Sequence, residues 1–325
     1  MLRPLQNLGM TMRTFDIYVD SAANIPDELV RKHNITVIPY TCTVNGKERL
    51  CYEKDMVFKE TATKFYAEIA AGADVKTSLV DKHRIIDAVT ASAEAGRDIV
   101  MVTISSGISG TYNQAIEAKK YIEETYKDCT MYVLDGANAS LGEGLQALKI
   151  ADLRDLGESA ESCANWHREN VYKINSYFTV ADLKYLRKSG RISTTLAIAG
   201  TILNIKPILK ADGSDNAKII FHSKERGRKR AIAALAEMFK ERAISPENNT
   251  VAIAHAGCED DALALASLIK EAGAKEIIIE YYDLCTVSHV GPGTLALFFY
   301  GADRKAPSAA RAQKKTGNAP AAQII

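Results

Sequence analysis

The sequence predicts an α/β protein of two domains, and three observations lead to this fold class. Its 325 residues are about twice the usual length of one domain. Residues 14–172 alternate apolar strands, glycine-bearing loops and helices, which is typical of a three-layer α/β/α domain with a parallel sheet. Residues 173–302 mix hairpins and helices, which favours an α+β domain with a mostly antiparallel sheet packed on helices. We expect a disordered leader at residues 1–13 and a basic disordered tail at residues 303–325.

The elements of the first domain follow from apolar runs and from the residues that begin and end helices. Thr14–Asp20 is a short apolar strand, and Asn24 is predicted to cap a helix with Pro26 in its first turn. Asn45-Gly46 predicts a hairpin after the extended segment Ile35–Val44. The other predicted elements are helices near 60–71, 81–95, 111–124, 141–155 and 157–171, and strands at 98–104 and 130–134.

These parallel strands should open into loops along one edge of the sheet, where the sites of such folds lie. The loops are Asp20-Ser21, Ser105–Gly110 and Asp135–Ser140.

The second domain is predicted from shorter apolar segments. A Gly-Pro turn is expected to lead from Ser288 into an apolar strand that ends at Phe299. The remaining predictions are strands at 176–180, 250–255 and 276–282, helices at 181–188, 194–203, 228–242 and 260–272, and a hairpin joining 206–210 to 218–222.

Composition excludes several classes of protein. Apolar residues make up 47% and charged residues 25%, so the chain is not mainly disordered. The formal net charge of +1 argues against a nucleic-acid binder. No apolar run is long enough to span a bilayer and no signal-peptide core is present, so we expect a soluble cytoplasmic protein. The six cysteines form no CxxC pair, and we predict reduced thiols, no metal and no cofactor.

The richest polar segment is Ser105–Thr111, between a predicted buried strand and the start of a helix. Free backbone N–H groups there favour an anion, and the hydroxyls add neutral donors. The segment lacks the spacing of a P-loop or a GxGxxG motif, and a simple helix cap remains the alternative. Thr77-Ser78 places two more hydroxyls before the helix predicted at Asp81, where an ordinary helix start is again the alternative.

His289 is predicted at a glycine-rich turn, where a ligand-binding role and a structural role both remain open. A serine nucleophile with His289 as its base would make the protein a hydrolase or esterase. The GxSxG spacing typical of that class is absent, but this function remains an alternative.

Two basic clusters are candidates for a phosphate or an acidic partner. One is Lys188-Ser189-Gly190-Arg191; the other, Lys224–Arg230, holds five cations at a predicted helix start, where the helix dipole disfavours positive charge. Because both ends of the chain are basic, the body between them is net acidic, which makes the second cluster more notable. A solvated charged face is one alternative, and a regulatory interaction module acting through this basic face is another.

Seven segments, in their order along the chain, together resemble the DegV family of bacterial fatty-acid-binding proteins. They span about residues 14–302 and read IYVDSAANIP, KTSLV, ISSGISGTYNQA, VLDGANASLGEG, FTVADLKYLRKSGRIS, LNIKPIL and SHVGPGTLALFFYG.

The resemblance implies one long-chain fatty acid held between two domains. Family positions that bind the carboxylate correspond to Thr77, Ser78 and Ser106, with Ser105 adjacent, and His289 matches a histidine close to that head group. Some members are non-catalytic binding subunits of a fatty acid kinase and present the acid to a separate ATP-binding protein.

Positions linked with phosphoryl transfer or docking in the family correspond to Arg191 and Arg226. The sequence departs from the family pattern at Ala22-Ala23 and at Leu79-Val80, both beside the expected head-group region.

Overall fold

A computed structural model describes residues 15–54, 56–192, 204–213 and 217–305, and three β-sheets organise them. The strands are β1 (Phe15–Asp20), β2 (Ile35–Ile38), β3 (Thr41–Val44), β4 (Lys47–Leu50), β5 (Val75–Ser78), β6 (Asp98–Thr103), β7 (Met131–Asp135), β8 (Ile174–Thr179), β9 (Ile205–Ala211), β10 (Ile219–Arg226), β11 (Val251–His255), β12 (Ile277–Tyr281) and β13 (Leu295–Tyr300). The helices are α1 (Asp27–Lys32), α2 (Phe58–Ala70), α3 (Lys82–Glu94), α4 (Thr111–Thr125), α5 (Leu141–Asp155), α6 (Ala160–Asn170), α7 (Lys184–Lys188), α8 (Arg228–Arg242), α9 (Glu259–Glu271) and α10 (Leu284–Val290).

The first half of the chain builds the predicted three-layer domain. Its sheet has the order β2-β1-β6-β7, and every neighbouring pair is parallel. Apolar side chains of α3 and α4 cover one face, and those of α1, α5 and α6 cover the other. Because both faces are covered, the strands are nearly continuous apolar runs, as parallel strands usually are.

The second half builds the predicted, mostly antiparallel sheet. Its order is β10-β9-β8-β13-β11-β12, and only the pair β11–β12 is parallel. Helices α8 and α9 pack on one face. The other face contributes Phe178 and Phe298 to the apolar cluster that also contains the core of the parallel sheet.

Helix α5 lies between the two large sheets, and eleven of its fifteen residues are buried. Two glycines allow this close packing. A Cβ atom on Gly142 would lie 2.8 Å from the ring of Phe298, and one on Gly144 would lie 2.6 Å from the carbonyl oxygen of Ala23. The glycines of the LGEG segment therefore let α5 approach β13 of the second sheet and the turn that follows β1 of the first.

A third, small sheet has the order β4-β3-β5. The hairpin predicted at Asn45-Gly46 is confirmed, because both residues have positive φ and β3 pairs antiparallel with β4. Strand β5 was not predicted. Thr77 and Ser78 belong to this strand and not to a helix start, because β5 pairs with β3.

Several local predictions are wrong. Asn24 does not cap α1: it adopts the left-handed conformation at φ 58°, and Pro26 occupies the capping position. His289 lies in helix α10, which Asp283 caps through the backbone N–H of Thr286, and not at a turn. The run Lys224–Arg230 is divided between the end of β10 and the start of α8.

Some predictions fall on parts of the chain outside the described residues. These are the helix at 194–203, the leader at 1–13 and residues 306–325 of the tail. Residues 303–305, which were assigned to the tail, contact the body of the protein. Arg304 is half-buried, and its guanidinium donates to the carbonyl oxygen of Ala137 at 2.9 Å.

Candidate functional site

The loops that follow β1, β6 and β7 meet at one edge of the parallel sheet, as predicted. The carboxylate of Asp20 accepts a hydrogen bond from the backbone N–H of Ile104 at 2.9 Å. The N–H of Ser105 donates to the carbonyl oxygen of Asn138 at 2.8 Å. These bonds tie the three loops into one rim facing the second large sheet.

A cavity of about 230 Å³ lies between this rim and the second sheet. Residues of both halves line it, and most of its surface is apolar, so it suits a ligand with a hydrocarbon body. Its principal apolar residues are Ile104, Ile108, Phe178, Leu186, Ile219 and Phe298.

Thr77 and His289 form a polar pair in the wall of the cavity. The Thr77 hydroxyl and His289 Nε2 are 2.9 Å apart. Strand alternation directs Thr77 toward the cavity, whereas its neighbour Ser78 is exposed and does not line it. Burial lowers the pKa of His289 to about 4, and the positive charge of Arg191 adds to this effect. The imidazole is therefore neutral near pH 7.

Arg191 provides the positive charge beside this pair. It lines the cavity together with Thr77 and His289, and its Nε donates to the carbonyl oxygen of Ile108 at 3.4 Å. The predicted residues Thr77, His289 and Arg191 are therefore brought together by the fold.

Three further hydroxyls form a cluster at the start of α4. Tyr40 Oη lies 2.6 Å from Thr111 Oγ1 and 3.0 Å from Ser109 Oγ, and the last two atoms are 3.1 Å apart. Tyr40 and Ser109 line the cavity. Ser109 belongs to the hydroxyl-rich segment Ser105–Thr111 that the sequence indicated, whereas Tyr40 was not predicted, because it follows β2 and reaches the site only through the tertiary fold.

Ser105 and Ser106 have other partners. Ser105 is fully buried, and its Oγ accepts a hydrogen bond from the backbone N–H of Gly107 at 3.2 Å. Ser106 donates its hydroxyl proton to the carboxylate of Asp135 at 2.5 Å. Neither serine lines the cavity.

A second depression of about 630 Å³, which we call the outer cleft, shares Thr77, Arg191 and His289 with the cavity. It therefore lies on the other side of the same polar residues. Its charged lining residues are Asp74, Lys76, Lys184, Lys188 and Arg191. Because four of these five are cations, the outer cleft favours an anionic partner.

Arg226 lies elsewhere. It is exposed at the end of β10 and lines neither the cavity nor the outer cleft. The structure therefore separates the two arginines that the sequence analysis grouped together.

The arrangement does not resemble a hydrolytic triad. Within the described part of the chain no serine hydroxyl bonds His289, and Nδ1 of His289 has no partner to orient the ring. In the same ranges no group of three or more potential ligands could hold a metal ion, and no helix has the length and apolarity to cross a membrane.

Fold and cavity together define an α/β protein in which two large sheets enclose an apolar cavity beside a polar cluster. The chain belongs to the DegV family, because the sequence model of the family described as "Uncharacterised protein, DegV family" matches residues 14–302.

Relatives and solved structures cover almost the whole chain. A DegV domain-containing protein of Clostridium perfringens is 34% identical over 91% of this chain and 100% of its own length. A DegV lipid-binding protein of Thermotoga maritima is 27% identical with a TM-score of 0.76, covering 90% of this chain and 100% of that one. A DegV family protein of Ruminococcus gnavus with vaccenic acid is 25% identical with a TM-score of 0.77, covering 88% and 99%.

Proposed function

We propose that this protein binds one long-chain fatty acid, with its acyl chain in the cavity and its carboxylate beside Thr77, His289 and Arg191. The observation that carries the proposal is one apolar cavity that meets a compact polar cluster in its wall. The relatives described as lipid-binding or as holding vaccenic acid support it.

The polar cluster suits a carboxylate for electrostatic reasons. A buried carboxylate without partners is costly, so it needs hydrogen-bond donors and a compensating charge. Because His289 is neutral, Arg191 supplies the charge, while the hydroxyls of Thr77 and Ser109 supply neutral donors. The ligand class that matches both parts is an amphipathic acid.

We further propose that the protein is not catalytic alone, needs no cofactor and presents the carboxylate to a fatty acid kinase in the cytoplasm. Residues that contact the carboxylate also line the outer cleft, so a partner seated there would reach the head group. Lys76, Lys184 and Lys188 would attract the phosphates of the nucleotide that the partner carries. Arg226, exposed at the end of β10, would contribute to docking away from the cleft.

Mass spectrometry of the purified protein under denaturing conditions tests the binding proposal. We expect a co-purified long-chain fatty acid, and we expect stripped protein to take up one equivalent of added acid. Protein that is consistently empty and refuses added acid would contradict the proposal. The substitution His289→Gln should weaken binding without abolishing it, because glutamine retains a hydrogen-bonding group.

Presentation to a kinase is tested separately, by acyl phosphate formation with ATP and a fatty acid kinase catalytic subunit. The double substitution Lys184→Glu, Lys188→Glu should slow product formation at least about tenfold and leave fatty acid affinity unchanged, because neither lysine lines the cavity. The matched control is Lys240→Glu together with Lys270→Glu, at exposed positions outside the cleft. Equal loss in both double variants would argue against a role for the outer cleft.

A further inference from the structure

Among the polar residues of the cavity wall, Asn138, Ser140 and Ser176 lie away from the helix α10 that carries His289. We call them the distal polar group. Their exposed fractions are 2%, 1% and 5%, so all three are buried in the protein. Asn138 and Ser140 belong to the VLDGANASLGEG segment and follow β7.

The ladder between β8 and β13 shows where the group lies relative to His289. At one end of the ladder Thr179 pairs with Leu295. The neighbouring Thr294 donates its hydroxyl proton to the carbonyl oxygen of Val290, the residue after His289, at 3.1 Å. This end of the ladder is therefore beside the head-group region.

The distal polar group lies at the other end of the same ladder. Ser176 pairs with Phe298, and the side-chain amide of Asn138 donates to the carbonyl oxygen of Ile174 at 3.0 Å. Thr179 is five positions after Ile174 in β8, which is roughly 16 Å along an extended strand. A fatty acid with its carboxylate at His289 would reach this group with the distal half of its chain.

Two atoms of the group lack the partners that buried polar atoms almost always have. Asn138 Oδ1 and Ser140 Oγ make no hydrogen bond with any described residue. A saturated hydrocarbon tail packed against them would leave both unsatisfied, at a cost in binding.

We propose that the acyl ligand carries a hydroxyl group on the distal half of its chain, so that the preferred ligand class is the hydroxylated long-chain fatty acids. This rests on the proposed function and specifies its ligand. One hydroxyl supplies one donor and two acceptor lone pairs. It would donate to Asn138 Oδ1 and accept from the hydroxyls of Ser140 and Ser176, which matches the group in number and in kind.

Affinities of three acids, measured by calorimetry on delipidated full-length protein, test the proposal. The acids are stearic acid, stearic acid hydroxylated on its twelfth carbon and stearic acid hydroxylated on its third carbon. We expect the second to bind about tenfold more tightly than either of the others, which is the effect of about one satisfied buried hydrogen bond. Equal or tighter binding of plain stearic acid would overturn the proposal, because water would then suffice to satisfy the group.

Variants test whether the distal polar group causes the preference for the acid hydroxylated on its twelfth carbon. The double substitution Ser140→Ala, Ser176→Ala should reduce the preference to less than about twofold while stearic acid still binds. Thr179→Val is the matched control, since Thr179 has a fully buried hydroxyl without a described partner on the same strand but does not line the cavity. A preference that persists in the double variant, or that disappears in the control, would overturn the assignment. Failure to bind any of the acids would overturn the proposed function as well, whereas equal binding overturns only this inference.

Discussion

At the scale of single residues, strand alternation decides which hydroxyl of the Thr77-Ser78 pair reaches the apolar cavity. Thr77 faces His289 across 2.9 Å, and Ser78 faces solvent. Two adjacent residues of similar chemistry therefore lie in different environments.

Replacing Thr77 with valine, which preserves its shape, should weaken fatty acid binding by about 1–3 kcal/mol. The cause is the loss of one hydroxyl beside a buried carboxylate. Ser78→Ala is the control and should leave the affinity unchanged, because its side chain is exposed. Isothermal titration with a single fatty acid measures both, and equal losses would mean that the head group lies elsewhere.

Replacing Asp283 with asparagine should change how stability depends on pH. Burial raises the pKa of Asp283 to about 7, although hydrogen bonds from Thr286 oppose this shift. A carboxyl with a raised folded-state pKa stabilises the protein below its unfolded-state pKa, and that contribution is lost as the pH rises through 7. Between about pH 4 and pH 7 the free energy of unfolding of the wild type should therefore fall, relative to that of the variant, by more than about 1.4 kcal/mol. This is the equivalent of one pKa unit.

Urea unfolding at several pH values measures this difference. The exposed Asp260 provides the control, because Asp260→Asn should follow the wild-type curve. Parallel curves for wild type and Asp283→Asn would show that the buried carboxyl does not stay protonated.

Thr77, His289 and Arg191, which the sequence predicted as site residues, lie together at the cavity, whereas Tyr40 was not predicted, because short motifs carry no information about contacts made across the fold. It also selected Ser105 and Ser106, whose hydroxyls the structure gives to Gly107 and Asp135. A hydroxyl-rich loop indicates that polar groups gather at a place. Which of them face the ligand depends on backbone geometry that residue types do not determine.

At the scale of elements, the tight packing of α5 makes the second position of its LGEG segment sensitive to a single methyl group. Gly→Ala in a helix normally stabilises by roughly 0.5–1 kcal/mol. In Gly142→Ala the new Cβ would lie 2.7 Å from Asn138 Oδ1 and 2.8 Å from the Phe298 ring, so we expect a loss of about 1–3 kcal/mol.

Chemical unfolding of Gly142→Ala tests whether the substitution destabilises the protein instead of stabilising it. Lys149→Ala, at an exposed position of the same helix, is the control and should change the free energy of unfolding little. Fatty acid affinity should also fall in Gly142→Ala, since Phe298 lines the cavity. A stabilised Gly142→Ala variant would mean that the sheet has room to move away.

Elements with a strong local pattern, including the short apolar strands β6, β7 and β11, were predicted well, whereas two short elements without such a pattern were missed. Helix α8 has the predicted bounds, Arg228–Arg242, because its apolar face and flanking glycine are local signals. Helix α10 was missed because its seven residues LCTVSHV include β-branched types, and the cap from Asp283 was not recognised. Strand β5 was missed because VKTS has little apolar character and its strand conformation depends on pairing with β3, which lies about thirty residues earlier in the chain.

At the scale of the whole molecule, the two halves share a large apolar cluster and line the same cavity. Bound fatty acid should therefore stabilise both halves together. At a free ligand concentration of 100 times Kd the expected gain is about 2.7 kcal/mol.

Thermal unfolding with and without the acid measures this gain. We expect one cooperative transition that shifts upward as a unit. Two transitions, of which only one responds to the acid, would show that the halves unfold independently.

The position of α5 also bears on how a ligand exchanges. Helix α5 packs tightly against both large sheets through its glycines. It therefore disfavours hinge opening of the two halves, because their separation would expose α5 to water. We therefore expect acyl chains to enter and leave by local displacement of the cavity wall, where Leu79 is 41% exposed and packs against Gly110. In kinetic terms, the size of the side chain at position 79 should control the residence time of the ligand more strongly than its equilibrium affinity.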